Sequence, residues 1–128
     1  MTTRPHPVSE RPLASPVLRF RLAEEVARLK AEPDWTGGKR AITLTKQRGL
    51  RLVLIALRAV AALHEHLAAG ALTIHVLEGR VRLDVGGETV ELAVGELLVL
   101  EPGLLHDVQA VDESVFLLTL AQPVERLA

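Results

Sequence analysis

A glycine pair between two alternating segments is the feature that most constrains the fold of this sequence. Arg80 to Val85 alternates strictly between polar and apolar side chains, and Gly86-Gly87 follows directly. Adjacent glycines at this place are typical of a two-residue turn that joins antiparallel strands. The alternation resumes with Val90 and Leu92. The pattern predicts a β-hairpin with one face in a hydrophobic core and the other in solvent.

Other short apolar or alternating segments surround this hairpin, each bounded by turn-forming residues. They are Ile42–Thr45, Leu50–Leu57, Ala71–Leu77, Leu97–Leu100, His106–Ala110 and Ser114–Leu120. Many short strands at near-regular spacing are typical of an antiparallel barrel or a sandwich of two sheets. The sequence therefore predicts an all-β domain over residues 41–121, followed by a tail at 122–128.

The N-terminal third has a different character. Four of the seven prolines fall within the first sixteen residues, so residues 1–15 are expected to form a flexible arm. Ser15-Pro16 has the residue types favoured at a helix start, and Pro33 would end that helix. Four apolar residues recur at helical spacing in between: Leu18, Leu22, Val26 and Leu29. We expect one amphipathic helix and its connector within residues 16–40.

Composition excludes several classes of function. The 128-residue chain has a formal net charge of -1, which gives no strong attraction to nucleic acid or to an anionic membrane. It contains no cysteine, so a disulfide framework, a thiolate metal site and a cysteine nucleophile are excluded. Aromatic residues make up 2% of the chain, too few for stacking on single-stranded nucleic acid. We therefore expect neither nucleic acid nor membrane as a partner.

Two further expectations come from apolar patterning. Leu50 to Leu57 and Leu117 to Leu120 are apolar on both faces, so their outer faces must be covered. The helix would cover one surface and a second subunit another, which predicts a homodimer. Met1 to Pro12 has no apolar stretch like that of a signal peptide, and the longest apolar run is Leu52 to Leu57. We expect a cytoplasmic protein.

The histidines are the candidate functional residues. His64 and His66 are one residue apart, which on a regular strand directs both imidazoles to the same side. Imidazole is a frequent ligand of divalent transition metals. His106 follows the Pro102-Gly103 turn and shares its face with apolar neighbours, so it should point into the core. Each histidine has an ordinary structural alternative, as a surface residue or as a hydrogen-bonded core residue.

Four spaced motifs follow one another in the barrel region: His64-Glu65-His66, Val76 to Gly79, Gly95-Glu96-Leu97 and Pro102 to His106. With the strand pattern from Ile42 to Ala121, they resemble the two sequence motifs of the cupins. The resemblance implies an antiparallel double-stranded β-helix, or jelly-roll barrel, with a ligand pocket in its mouth and frequent dimerisation. It also implies a divalent transition metal held by His64, His66 and His106.

The sequence departs from the cupin pattern at one ligand position. The glutamate usual in the first motif is replaced by Leu72, which leaves three neutral imidazoles. Such a set suits zinc, nickel, iron or manganese, with water completing the coordination. His75 is a possible additional ligand, although alternation puts it on the face opposite Leu72, Ile74 and Val76. A bulge near Gly70 would be needed to reverse that phase.

Three functions remain open at this point. The first is a metal-binding barrel, either enzymatic or not, whose ion polarises a small anionic or carbonyl substrate or activates water. The second is a metal-free barrel that binds or senses an apolar small molecule. The third is a barrel that dimerises and supports another protein. Glu101 and Asp107 lie near the expected pocket rim, but both fit ordinary exposed positions, so no acid or base is assigned.

Overall fold

The computed structural model describes residues 13–66 and 69–122, apart from the side chains of residues 65 and 66. One helix, α1 (Leu22–Ala31), precedes a short 3₁₀ turn at Thr36–Gly38. The strands that follow are β1 (Lys39–Gln47), β2 (Leu50–Leu57), β3 (Ala62–His66), β4 (Leu72–Glu78), β5 (Arg80–Val85), β6 (Glu88–Ala93), β7 (Leu97–Leu100), β8 (His106–Ala110) and β9 (Ser114–Ala121). Most of the predicted arm and tail lies outside these described ranges.

The strands form two antiparallel sheets that pack face to face. The five-stranded sheet has the order β1-β2-β9-β4-β7, and the four-stranded sheet has the order β3-β8-β5-β6. Alternate residues of both sheets form the core between them, with Ile74, Leu83 and Phe116 nearly inaccessible to solvent. This architecture confirms the prediction of an all-β jelly roll with one helix.

The glycine-pair hairpin is confirmed in detail. Val85 and Glu88 are register partners, so Gly86 and Gly87 form the two-residue loop between β5 and β6. Both glycines have positive φ, at 55° and 83°, which a tight turn of this kind requires. On β5 the buried residues alternate with exposed ones as predicted.

Strand β2 contributes to two hydrophobic clusters. Its Val53 face belongs to the core between the sheets, whereas Leu54 and Ala56 pack beneath α1. Val26 and Leu29 of α1 are buried against that outer face. The expectation that the helix covers an apolar sheet surface is therefore confirmed. α1 has ten residues, and no helix in the described part of the chain is long and apolar enough to cross a membrane.

The predicted helix start is wrong. The helix begins at Leu22 rather than Pro16, and its N-cap residue, Arg21, makes no capping side-chain hydrogen bond. The chain before it is tied to β1, since the Leu13 carbonyl accepts hydrogen bonds from the Lys46 amide and the Thr45 hydroxyl. These long-range contacts favour a non-helical segment over the local Ser-Pro signal.

The residues of interest lie at one end of the barrel, which we call the mouth. Here β2 begins opposite the end of β9, at the register pair Leu50 and Ala121. β4 begins at Leu72, opposite Leu100 at the end of β7. In the other sheet β8 begins at His106, opposite Val85 at the end of β5. Because only residues 101–105 connect β7 to β8, these ends of the two sheets lie at the same rim.

Candidate functional site

The two histidine-containing segments lie on neighbouring strands of the four-stranded sheet. β3 and β8 are antiparallel, and the Cα atoms of His66 and His106 are register partners. The residues come from motifs forty positions apart in sequence, and the turn at Pro102-Gly103 brings the second segment back beside the first. The backbone thus supplies the proximity on which a shared site depends.

His106 is buried, as the sequence predicted. It is 6% exposed and lies on the same face of β8 as Val108 and Ala110, which belong to the core between the sheets. Its Nδ1 lies 3.2 Å from the carbonyl oxygen of Leu104. A carbonyl can only accept, so this contact favours the tautomer with hydrogen on Nδ1 and the lone pair on Nε2. A hydrogen bond from Nδ1 to a carbonyl in the same way orients histidines that bind metals through Nε2.

A β-bulge interrupts the strand that carries the histidine pair. Leu63 pairs with Val108 and His66 with His106, so three steps on β3 match two steps on β8. The same-side prediction for His64 and His66 assumed unbroken alternation, which this register shift interrupts. His64 itself is exposed. Among the residues whose side chains are described, no group of three His, Cys, Asp or Glu could hold a metal ion.

Position 72, where cupins usually carry glutamate, lies in the core. Leu72 is 3% exposed and has Leu100 and Leu120 as register partners on its two neighbours. The β4–β9 register is regular from Leu72 to Val76, so the phase reversal considered for His75 does not occur. His75 lies on the outer face of the five-stranded sheet, away from the barrel interior.

The sequence reasoning missed one charged residue at the mouth. Arg51 follows the alternation of Val53, Ile55 and Leu57, the face of β2 that forms the core between the sheets. Its Nε atom is buried and has no hydrogen-bond partner. The only available signal was an arginine within a strongly apolar strand.

On the outside of the rim, a depression of about 340 Å³ lies beside His106 and is also lined by Asp107.

Comparison with known proteins agrees with the fold. The model of the cupin domain family matches residues 51–120. A conserved protein of unknown function from Streptococcus pyogenes superimposes with a TM-score of 0.66 at 22% identity, over 70% of this chain and 78% of the other. No match was found among curated proteins.

Two further solved structures share the fold. An RmlC-like cupin from Desulfovibrio desulfuricans has 28% identity and a TM-score of 0.58, covering 66% of this chain and 82% of its own. A variant of oxalate decarboxylase from Bacillus subtilis has 23% identity and a TM-score of 0.62. That match covers 66% of this chain but 26% of the decarboxylase chain, so the likeness concerns about a quarter of that protein.

Proposed function

This chain belongs to the cupin family, and we propose that its barrel binds a divalent transition metal through His64, His66 and His106. The observation that carries the proposal is the register pairing of His66 with His106 on adjacent strands. The contact between His106 Nδ1 and the Leu104 carbonyl supports it, because it orients the ring for coordination through Nε2.

The available donors fit zinc, nickel, iron or manganese. Imidazole nitrogen suits these ions, and three neutral ligands leave the ion its full charge and positions for water or substrate. Leu72 supplies no donor at the fourth position. A bound ion of this kind polarises a carbonyl group or lowers the pKa of a bound water. The role of the protein residues is to hold and orient it, with Leu104 fixing the His106 ring.

Metal content of the full chain, purified without an affinity tag, tests the proposal. We expect about one equivalent of metal in the wild type after dialysis against each candidate ion, and less than about a tenth in His66→Ala and His106→Ala. His75→Ala is the matched control, since that histidine lies on the outer face. His64→Ala measures the exposed member of the set separately.

Two results would contradict metal binding. One is a wild-type protein that holds less than about a tenth of an equivalent of every ion. The other is a metal content that His66→Ala and His75→Ala change equally. Circular dichroism of each variant shows whether the fold is retained.

The second candidate is a metal-free barrel that binds a small molecule. It is favoured by the apolar wall near the mouth, where Val85, Leu104 and Leu120 are only partly buried against the core. Leu72 extends that wall at the position where a metal ligand is usual. A wild type without metal in the preceding experiment would favour this function.

We also propose that the barrel forms a homodimer through the outer face of β4 and β7. Leu97 and Val99 are 58% and 64% exposed there, and α1 covers a different part of the sheet. Light scattering should give the mass of two chains for the wild type and one chain for Val99→Glu. Val94→Glu, at an equally exposed position outside this face, should leave the mass unchanged. The cytoplasmic location stays a prediction from the sequence.

A further inference from the structure

Arg51 carries its charge on the inner side of the barrel mouth. It lies two residues before Val53, whose side chain belongs to the core between the sheets. Its register partner on β9, Leu120, packs against the same core. Residues two apart on a strand share a face, and so do directly opposite residues of a ladder. Val53 and Leu120 therefore both place Arg51 on the barrel side.

The guanidinium of Arg51 forms no ion pair with any described residue. Its Nε is inaccessible to solvent and makes no hydrogen bond. The register partner on β1 is another cation, Lys46, so two like charges stand opposite each other. Other arginines of the fold do have carboxylates nearby, as with Arg58 Nη1, which lies 2.7 Å from Glu113 Oε1. Burying a donor without an acceptor costs stability.

The register places one described carboxylate on this inner face, Glu88, the exposed partner of Val85 at the start of β6, and it forms no ion pair with Arg51. The one buried carboxylate in the described residues belongs to Glu25, which lies on α1 outside the barrel. The core between the sheets is aliphatic apart from Phe116, and the buried His106 begins β8 in the four-stranded sheet. Among the described residues no side chain accepts a hydrogen bond from the Arg51 Nε, so a ligand carboxylate or solvent can bond to the guanidinium.

We propose that Arg51, with Lys46 opposite, forms a carboxylate-binding site in the barrel mouth, so that the ligand of the barrel is a small carboxylate. A guanidinium binds a carboxylate through two parallel hydrogen bonds, a geometry that ammonium does not match. Lys46 is exposed beside Arg51, so it adds positive charge where such a ligand would enter. The inference rests on the barrel as the ligand site of the proposed function, but it does not require the metal.

Carboxylate binding to metal-free protein provides the test. The full chain, stripped with a chelator, is titrated calorimetrically with acetate, malonate, succinate and benzoate, and with malonamide as a neutral counterpart. We expect at least one carboxylate to bind and malonamide not to bind. Arg51→Met should weaken that binding about tenfold or more, with Arg51→Lys between the two. Arg82→Met is the matched control, because Arg82 is exposed on the outer face of β5.

Thermal unfolding gives a second readout that a purely structural role would not reproduce. Removing the unpartnered guanidinium should raise the Tm of free Arg51→Met by a few degrees, while abolishing the further rise that the carboxylate causes in the wild type. Arg51→Met that binds carboxylate as the wild type does overturns the inference. So does a wild type that binds none of the four acids, or one that binds malonamide equally well.

The metal measurements keep the two proposals separate. A wild type that holds metal but binds no carboxylate in its stripped form overturns the Arg51 inference and leaves the metal site standing. A wild type without metal whose carboxylate binding is lost in Arg51→Met supports the inference and overturns the metal proposal.

Discussion

Replacing Leu72 by glutamate puts back the carboxylate that most cupins carry, and its cost can be worked from the structure. Leu72 is 3% exposed and sits between Leu100 and Leu120. The control is Leu72→Gln, because glutamine has the shape of glutamate without its charge. This variant loses the apolar packing and buries an amide, which lowers the free energy of unfolding by about 3–5 kcal/mol. A domain of this kind is stable by about 5–15 kcal/mol, so a wild type near the middle of that range keeps both variants folded.

The charge of the new carboxylate adds a pH-dependent penalty. Burial raises the pKa of a glutamate in the folded state above its unfolded value of about 4.3. Stability is then lost as the pH rises from about 4.3 through the folded pKa, at about 1.36 kcal/mol per unit. A pKa two units higher in the folded state makes Leu72→Glu about 2.7 kcal/mol less stable than Leu72→Gln near pH 7.5.

Metal should reverse that difference. An ion at one hundred times its dissociation constant stabilises the folded state by about 2.7 kcal/mol, which offsets the whole charge penalty. Leu72→Gln offers a weaker donor, so metal should stabilise it less than Leu72→Glu.

Urea unfolding followed by Trp35 fluorescence measures these quantities. Trp35 is the only tryptophan; its Nε1 donates to the Glu32 carbonyl and its ring lies 4.1 Å from the Arg58 guanidinium carbon. Equal stabilities of the two Leu72 variants near pH 5 and near pH 7.5 would refute the burial argument. A pH-dependent difference that metal does not reduce would refute the placement of the metal beside position 72.

Three further perturbations test the fold. Gly79→Ala should lower the free energy of unfolding by more than about 3 kcal/mol, because Gly79 has φ of 79° and a Cβ would lie 2.3 Å from a carbonyl oxygen. Gly86 has φ of 55° but open space around it, so Gly86→Ala should lower the free energy of unfolding by about 1 kcal/mol in the same urea titration. Ser114→Ala should lower the unfolding free energy by about 1–3 kcal/mol, since its buried Oγ accepts a main-chain hydrogen bond at 3.0 Å. The hydrogen bond to Glu78, reinforced by its charge, raises the pKa of Lys30, so this pair stabilises the fold below pH 10.5 and the stabilisation is lost as the pH rises through the raised value. The pair is largely exposed, so Lys30→Met should differ from the wild type by less than about 1 kcal/mol at neutral pH and by nothing at strongly alkaline pH.

The strands were predictable where local pattern and turn chemistry agree. Leu50–Leu57, Arg80–Val85, Leu97–Leu100 and His106–Ala110 have the same bounds in the structure as in the sequence prediction. Each is an apolar or alternating segment with glycine, proline or aspartate within two residues of at least one of its ends. The helix start failed because the Ser15-Pro16 signal is local, whereas the bonds from β1 to Leu13 join residues far apart in sequence.

The site was predictable only in part, for two physical reasons. A His-x-His pair predicts one face only on a regular strand, and nothing in the residues around His64 indicates the bulge in β3. Arg51 was missed because β2 is apolar on both faces. With no polar face to set the phase, the sequence alone cannot assign Arg51 to the barrel or to the helix side. The inward position of His106 was predictable, since its alternating neighbours are apolar.

The chain enters and leaves the described fold at the barrel mouth. The Leu13 carbonyl bonds to the Lys46 amide, and the Gln122 amide donates to the Gly49 carbonyl at 3.0 Å, both beside the turn between β1 and β2. Histidines introduced at Leu13 or Gln122 would therefore add imidazoles next to the opening and raise the measured metal content. For the same reason, an environment-sensitive dye attached at position 13 or 122 would sit where it can report a molecule entering the barrel.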